Sequence, residues 1–200
     1  MHPMERLRYV ARAGSAPDRI LVAESVPALG AFAGQPGPML VALRQLIVRQ
    51  PESAGLLALA AHMVHALEPV DAGWRFAESL EQDRTVDLAE ELAVAESGGT
   101  DVIDSLISGP SRALVPVGTT AWIATARSAG RSVALVTPRG TRLPQLLWRS
   151  YLDRNGLADD SREVEILDLA TFDDLIGPDG LLPVDSWRAD CPDVAEVARL

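Results

Sequence analysis

The residues best suited to chemistry lie in one stretch. Gly118, Thr119 and Thr120 follow an apolar run at 113–117 and open a helical pattern at 119–129. A second apolar run at 132–137 leads into Pro138-Arg139-Gly140-Thr141-Arg142. A strand, a glycine turn and a helix in that order gather the unpaired N–H groups of a helix N-terminus at one point, where an anion is favoured. If the two strands are parallel neighbours, the loops after them share the ligand edge of an open sheet. Arg139 or Arg142 would then grip a phosphate with two parallel N–H bonds. Charge points the same way. Between Ser105 and Leu152 there is no acid and there are six arginines, whereas the other twelve arginines face all 28 acids, a balance of −16. The competing reading has the arginines on a solvated helix face and Gly118 as a turn residue only. The three spaced glycines of a dinucleotide site are absent.

Other candidates are thinner. Asp173 and Asp174 follow an apolar run at 163–168 and could serve as acid or base at the same edge, or simply solvate a loop. Asp173 is kept with Gly118, Thr119, Thr120, Arg139 and Arg142 as a candidate ligand residue. His62, His65 and Glu68 are spaced by three on one helix, a metal-compatible spacing without a further ligand. Cys191 has no histidine near it in sequence, so a thiolate nucleophile is not expected. Trp74, Trp122, Trp148 and Trp187 are expected to pack the core. The chain has no lysine, its 18 basic residues all being arginine, which excludes Schiff-base chemistry, a pyridoxal phosphate anchor and a Walker-type phosphate loop. No catalytic constellation, metal site or cofactor is therefore expected.

Composition narrows the setting. No apolar run approaches the ~18 residues of a membrane span, and Arg6, Arg8 and Arg12 mark the N-terminus as an amphipathic helix, not a secretory signal. One cysteine among 200 residues rules out an intrachain disulfide framework. These features point to the cytoplasm. A net charge of −10 argues against a nucleic-acid partner.

Apolar positions at helical spacing predict helices at 3–13, 18–32, 38–50, 52–67, 72–82 and 85–96, with Asp71 and Thr85 as N-caps. Gly98 and Gly99 mark the expected boundary between a helical domain, 1–97, and a second domain, 98–200. There, strands at 101–107, 113–117, 132–137 and 163–168 alternate with helices at 119–129 and 144–154, which implies parallel strands with right-handed crossovers. The tail from Gly177 reads as an arm. The expected class is α/β, an all-helical N-terminal domain followed by a reduced, mainly parallel Rossmann-like sheet domain.

Val115-Pro116-Val117-Gly118-Thr119, then Ala124, Ala126, Gly130, the run 132–137 and Pro138, resembles the regulatory α/β/δ subunits of translation initiation factor 2B and the related methylthioribose-phosphate and ribose-bisphosphate isomerases. Ala170-Thr171-Phe172-Asp173 and Gly180-Leu181-Leu182-Pro183 are similar to that family's closing segments. The chain also resembles small actinobacterial relatives of the family. The resemblance spans about 101–187. It implies a helical domain before a Rossmann-like one, a homodimer formed through the C-terminal half, and recognition of a phosphorylated small molecule, a sugar phosphate or nucleotide. Val115 and Pro116 stand where the family has Asn-Lys, and its Thr-x-Cys-Asn turn has no counterpart, so the resemblance implies a non-catalytic regulatory or interaction protein. The alternatives are an anion sensor at Gly118 and a divergent sugar-phosphate isomerase.

Overall fold

The computed structural model describes residues 3–10, 12, 16–94, 100–157 and 164–200. It has an α/β fold with a helical N-terminal region and a mainly parallel four-stranded sheet, in keeping with the pattern of the sequence. The chain divides into two compact units, but not at one boundary. The first comprises 1–82, 144–156 and 191–200, the second 83–143 and 157–190. The expected division into 1–97 and 98–200 is thus replaced by an interleaved one, and Gly98-Gly99 lies outside the described residues.

In the first unit the helices are α1 (Pro3–Val10), α2 (Asp18–Leu29), α3 (Pro36–Arg49), α4 (Ala54–His65) and α5 (Pro69–Glu81). Almost the whole of α4 is buried, because its leucines and alanines are apolar on every face and suit a central position. Its N-terminus is held twice. Ser53 Oγ accepts from Leu56 N, while Asp18 accepts from Ser53 Oγ at 2.5 Å and from Gly55 N at 2.6 Å. In α5 the capping position is Glu68, since Pro69 and its fixed φ start the helix, and Asp71 lies in the first turn instead of capping it. Two later segments, α8 (Gln145–Arg154) and α9 (Ala195–Ala198), complete this unit. Tyr151 Oη donates to Glu52 O at 3.1 Å and Asn155 Nδ2 to Pro51 O at 2.9 Å, so α8 is tied into the helical unit and is no crossover of the sheet.

Among the described residues the second unit holds α6 (Thr85–Val94), α7 (Thr119–Ser128) and seven strands: β1 (Thr100–Asp104), β2 (Ile107–Ser108), β3 (Arg112–Pro116), β4 (Ser132–Val136), β5 (Val164–Asp168), β6 (Asp174–Gly177) and β7 (Gly180–Pro183). The larger sheet has the order β1-β4-β6-β7, with β1, β4 and β6 parallel and β7 antiparallel. β4 is buried on both faces. Val133 and Leu135 pack with Ile123 and Ala126 of α7 and with Ala113 and Val115. Ala134 and Val136 meet Ala89, Leu88 and Leu92 of α6 on the other side. A strand apolar on both faces needs two covers, which is why α6 joins this unit and not the helices before it.

Two expectations fail here. The strand foreseen at 101–107 is two strands in different sheets, and β3 does not pair with β4. It forms a separate antiparallel sheet, β2-β3-β5, with Val115 opposite Glu165 and Pro116 opposite Val164. The tail foreseen as an arm begins inside the larger sheet, because Gly177 pairs with Gly180 across Pro178-Asp179 and the β6–β7 hairpin completes that sheet.

Among the described residues no helix is long and apolar enough to cross a membrane. Trp148 is buried, but Trp74 and Trp122 are 49% and 41% exposed, so only part of the expected tryptophan core exists. Trp187 is partly buried and donates its indole N–H to Ser108 Oγ at 3.1 Å. His62 stacks on Phe76 with ring centroids 4.7 Å apart, and Cys191 is buried.

Candidate functional site

Gly118 has φ +91°, the left-handed conformation that side-chain-bearing residues rarely adopt, and it turns the chain from β3 directly into α7. Thr119 Oγ1 folds back to donate to Pro116 O at 2.6 Å. The N–H groups of Gly118 and Thr120 and the Thr120 hydroxyl converge, as a site for an anion requires. The anion that fills it is the chain's own. Glu165 Oε1 accepts from Gly118 N at 2.5 Å, and Oε2 accepts from Thr120 N at 3.0 Å and Thr120 Oγ1 at 2.5 Å. Antiparallel pairing of β3 and β5 aims this carboxylate at the positive end of α7. The Thr120 hydroxyl has the largest effect and holds its carboxyl below the usual range against the opposing effect of burial, with the Gly118 and Thr120 N–H groups adding smaller lowering contributions. This contact contributes stability above the ordinary glutamate range, and the contribution is lost as pH falls through the lowered folded value.

The arginine loop is separate. Arg139 and Arg142 follow β4, and because β4 and β3 belong to different sheets, neither arginine lines the concave surface at Gly118. Carboxylates also take the backbone N–H of Arg139 and the guanidinium of Arg142. Asp83 accepts from Arg139 N at 2.6 Å with one oxygen, and with the other from Thr85 N at 3.0 Å and Thr85 Oγ1 at 2.5 Å. Thr85 therefore begins α6 as a donor to Asp83, not as the acceptor cap expected of it. Asp190 binds the rest of the loop. It accepts from Gly140 N at 2.8 Å, Arg142 N at 3.2 Å, Arg142 Nε at 2.9 Å and Arg142 Nη2 at 2.5 Å, and donates its own N–H to Arg142 O at 2.9 Å. The Arg142 and Asp190 side chains are 10% and 1% exposed.

Asp173 is a third, distant structural acid. Its carboxylate accepts from Val133 N at 2.8 Å at the N-terminal end of β4, and its N–H donates to Val133 O at 2.9 Å. Since β4 and β6 run parallel, this is the edge opposite the one where β4 leads into the arginine loop, so Asp173 does not join the other candidates. The six sequence-local arginines are largely compensated by acids from flanking segments. Arg112 pairs with Asp168 at 3.4 Å, Arg127 with Asp173 at 4.0 Å, Arg131 with Asp101 at 2.6 Å, and Arg142 with Asp190.

What the Gly118 turn leaves open is apolar. Val102, Ile103, Pro116, Val117, Thr119 and Trp122 line a shallow concavity of about 330 Å³, with Val117 60% exposed. Glu165, Asp83 and Asp190 were not singled out in the sequence. The available signal was the acid-free basic stretch itself, whose charge must be met from elsewhere once the chain is compact. Fold and surface together define an α/β protein whose anion-attracting turn is self-occupied. Comparison with protein-family models gives no match, and no curated protein matches the chain.

Proposed function

We propose that the chain is a non-catalytic interaction protein that associates with a second copy through its α/β unit. The observation that carries this reading is Glu165 seated on the donors of Gly118 and Thr120, which removes the turn's anion chemistry and leaves the exposed pair Val117 and Trp122 beside it. An exposed tryptophan on the wall of a concave apolar surface is the composition that protein interfaces favour. The resemblance to the initiation factor 2B regulatory subunits supports the same role, since it implies a dimer formed by the C-terminal half without the catalytic residues of the isomerases.

Sedimentation equilibrium tests the proposal. The wild-type chain is expected to show a reversible monomer–dimer equilibrium, and Trp122→Ala combined with Val117→Ser to weaken it at least tenfold. A strict monomer at all concentrations, or an unaltered dimer in the double variant, would overturn it.

A further inference from the structure

The helical unit carries a different concentration of unanswered positive charge. On α8, Leu146, Arg149, Ser150, Asp153 and Arg154 recur at helical spacing and share one face. With Arg199 just beyond α9 they line an open cleft of about 340 Å³. Asp153 is the one acidic side chain on its wall, against three guanidinium groups. Among the described residues none of the three arginines has an ion-pair partner, although most other arginines of the basic stretch do.

Arg154 is the informative member. Its Nη2 donates to Ser150 Oγ at 2.5 Å, and Ser150 Oγ in turn donates to Ala198 O at 2.7 Å, which fixes the guanidinium against the cleft wall. Its Nη1 is buried without a hydrogen-bond partner. Being buried, that atom is out of a ligand's reach, and what Arg154 offers the cleft is its fixed positive charge. Burial alone pushes this group below its ordinary value, yet an arginine cannot relieve the strain by losing its proton. A negative charge in the cleft offsets that cost through space.

We propose that this cleft binds a phosphate group, held by Arg149 and Arg199 with Arg154 fixed behind them and Leu146 against an apolar portion of the ligand. Guanidinium groups meet phosphate oxygens in pairs of parallel bonds, and a cleft of this size admits a small phosphorylated molecule. The site belongs to the helical unit and does not depend on the association reading.

The test uses pyrophosphate as the probe, titrated into the full chain by calorimetry at constant ionic strength, with sodium chloride as the control. Saturable binding with one site per chain is expected, together with a raised melting temperature, because a ligand that binds only the native state stabilises it. Arg149→Ala with Arg199→Ala should weaken binding at least tenfold. Both residues are exposed, so the unliganded melting temperature should stay near that of the wild type. Absence of saturable binding to the wild type would overturn the proposal. So would equal binding by the double variant, which would place the phosphate elsewhere.

Discussion

Replacing Asp190 with alanine is expected to destabilise the α/β unit by about 3–5 kcal/mol, the usual consequence of removing one member of a buried ion pair. The carboxylate receives four donors from Gly140 and Arg142, and its loss would strand a guanidinium that is only 10% exposed together with two backbone N–H groups. Arg142→Ala should be milder, because Asp190 would keep the Gly140 and Arg142 N–H groups. Arg142→Met with Asp190→Leu should recover part of the loss by replacing the pair with apolar bulk, but not all of it, since the two N–H groups remain unanswered. Urea unfolding followed by tryptophan fluorescence measures the order directly. A loss below about 1 kcal/mol in Asp190→Ala would show that the clasp carries little of the unit's stability.

Gly55→Ala is the second large effect. A Cβ at this position would stand 2.8 Å from Asp18 Cβ and 2.9 Å from its carboxyl carbon, a contact with the rigid root of the side chain and not with a movable tip. Such crowding costs about 1–3 kcal/mol, and it acts against alanine's own helix preference of about 1 kcal/mol. The expected net result is destabilisation of the helical unit, read as a lower urea midpoint. Asp18 also sets a pH signature. Burial raises its carboxyl above the ordinary value, with the bonds from Ser53 and Gly55 opposing. Its contribution is therefore fullest below the ordinary aspartate range and declines as pH rises through the raised folded value, the reverse of Glu165. Asp18→Asn should flatten that decline. Nearby, burial followed by the charges of Asp18 and Glu52 pushes Tyr151 up to about 12, so its hydroxyl stays protonated and keeps donating to Glu52 O in neutral solution.

Local structure was legible because it is written in spacing. The apolar period marks α2 to α6, and the junction at Gly118 does turn a strand into a helix. Partnership was not legible, because it is decided by residues far apart in the chain. Ala113-Leu114-Val115 would suit a place beside β4 as well as the place it takes between β2 and β5, and only the second choice brings Glu165 to Gly118. Leu88, Ala89 and Leu92 mark a helix equally well in either unit. The need to cover the second face of β4 settles where that helix goes. One miss had a readable signal: Gly177-Pro178-Asp179-Gly180 has the residues of a tight turn, and its two flanks Leu175-Ile176 and Leu181-Leu182 form the hairpin.

Glu165 carries the central claim, that the anion-attracting turn is already occupied by the chain itself. The direct measurement is an amide-resolved NMR titration with inorganic phosphate at constant ionic strength, comparing wild type with Glu165→Ala. The Gly118 and Thr120 amides should stay in place throughout the wild-type titration and should move saturably in the variant, where the three donors are released. A saturable shift of both amides in the wild type would contradict the account, for it would mean that an external anion displaces Glu165 and that the turn is a working ligand site.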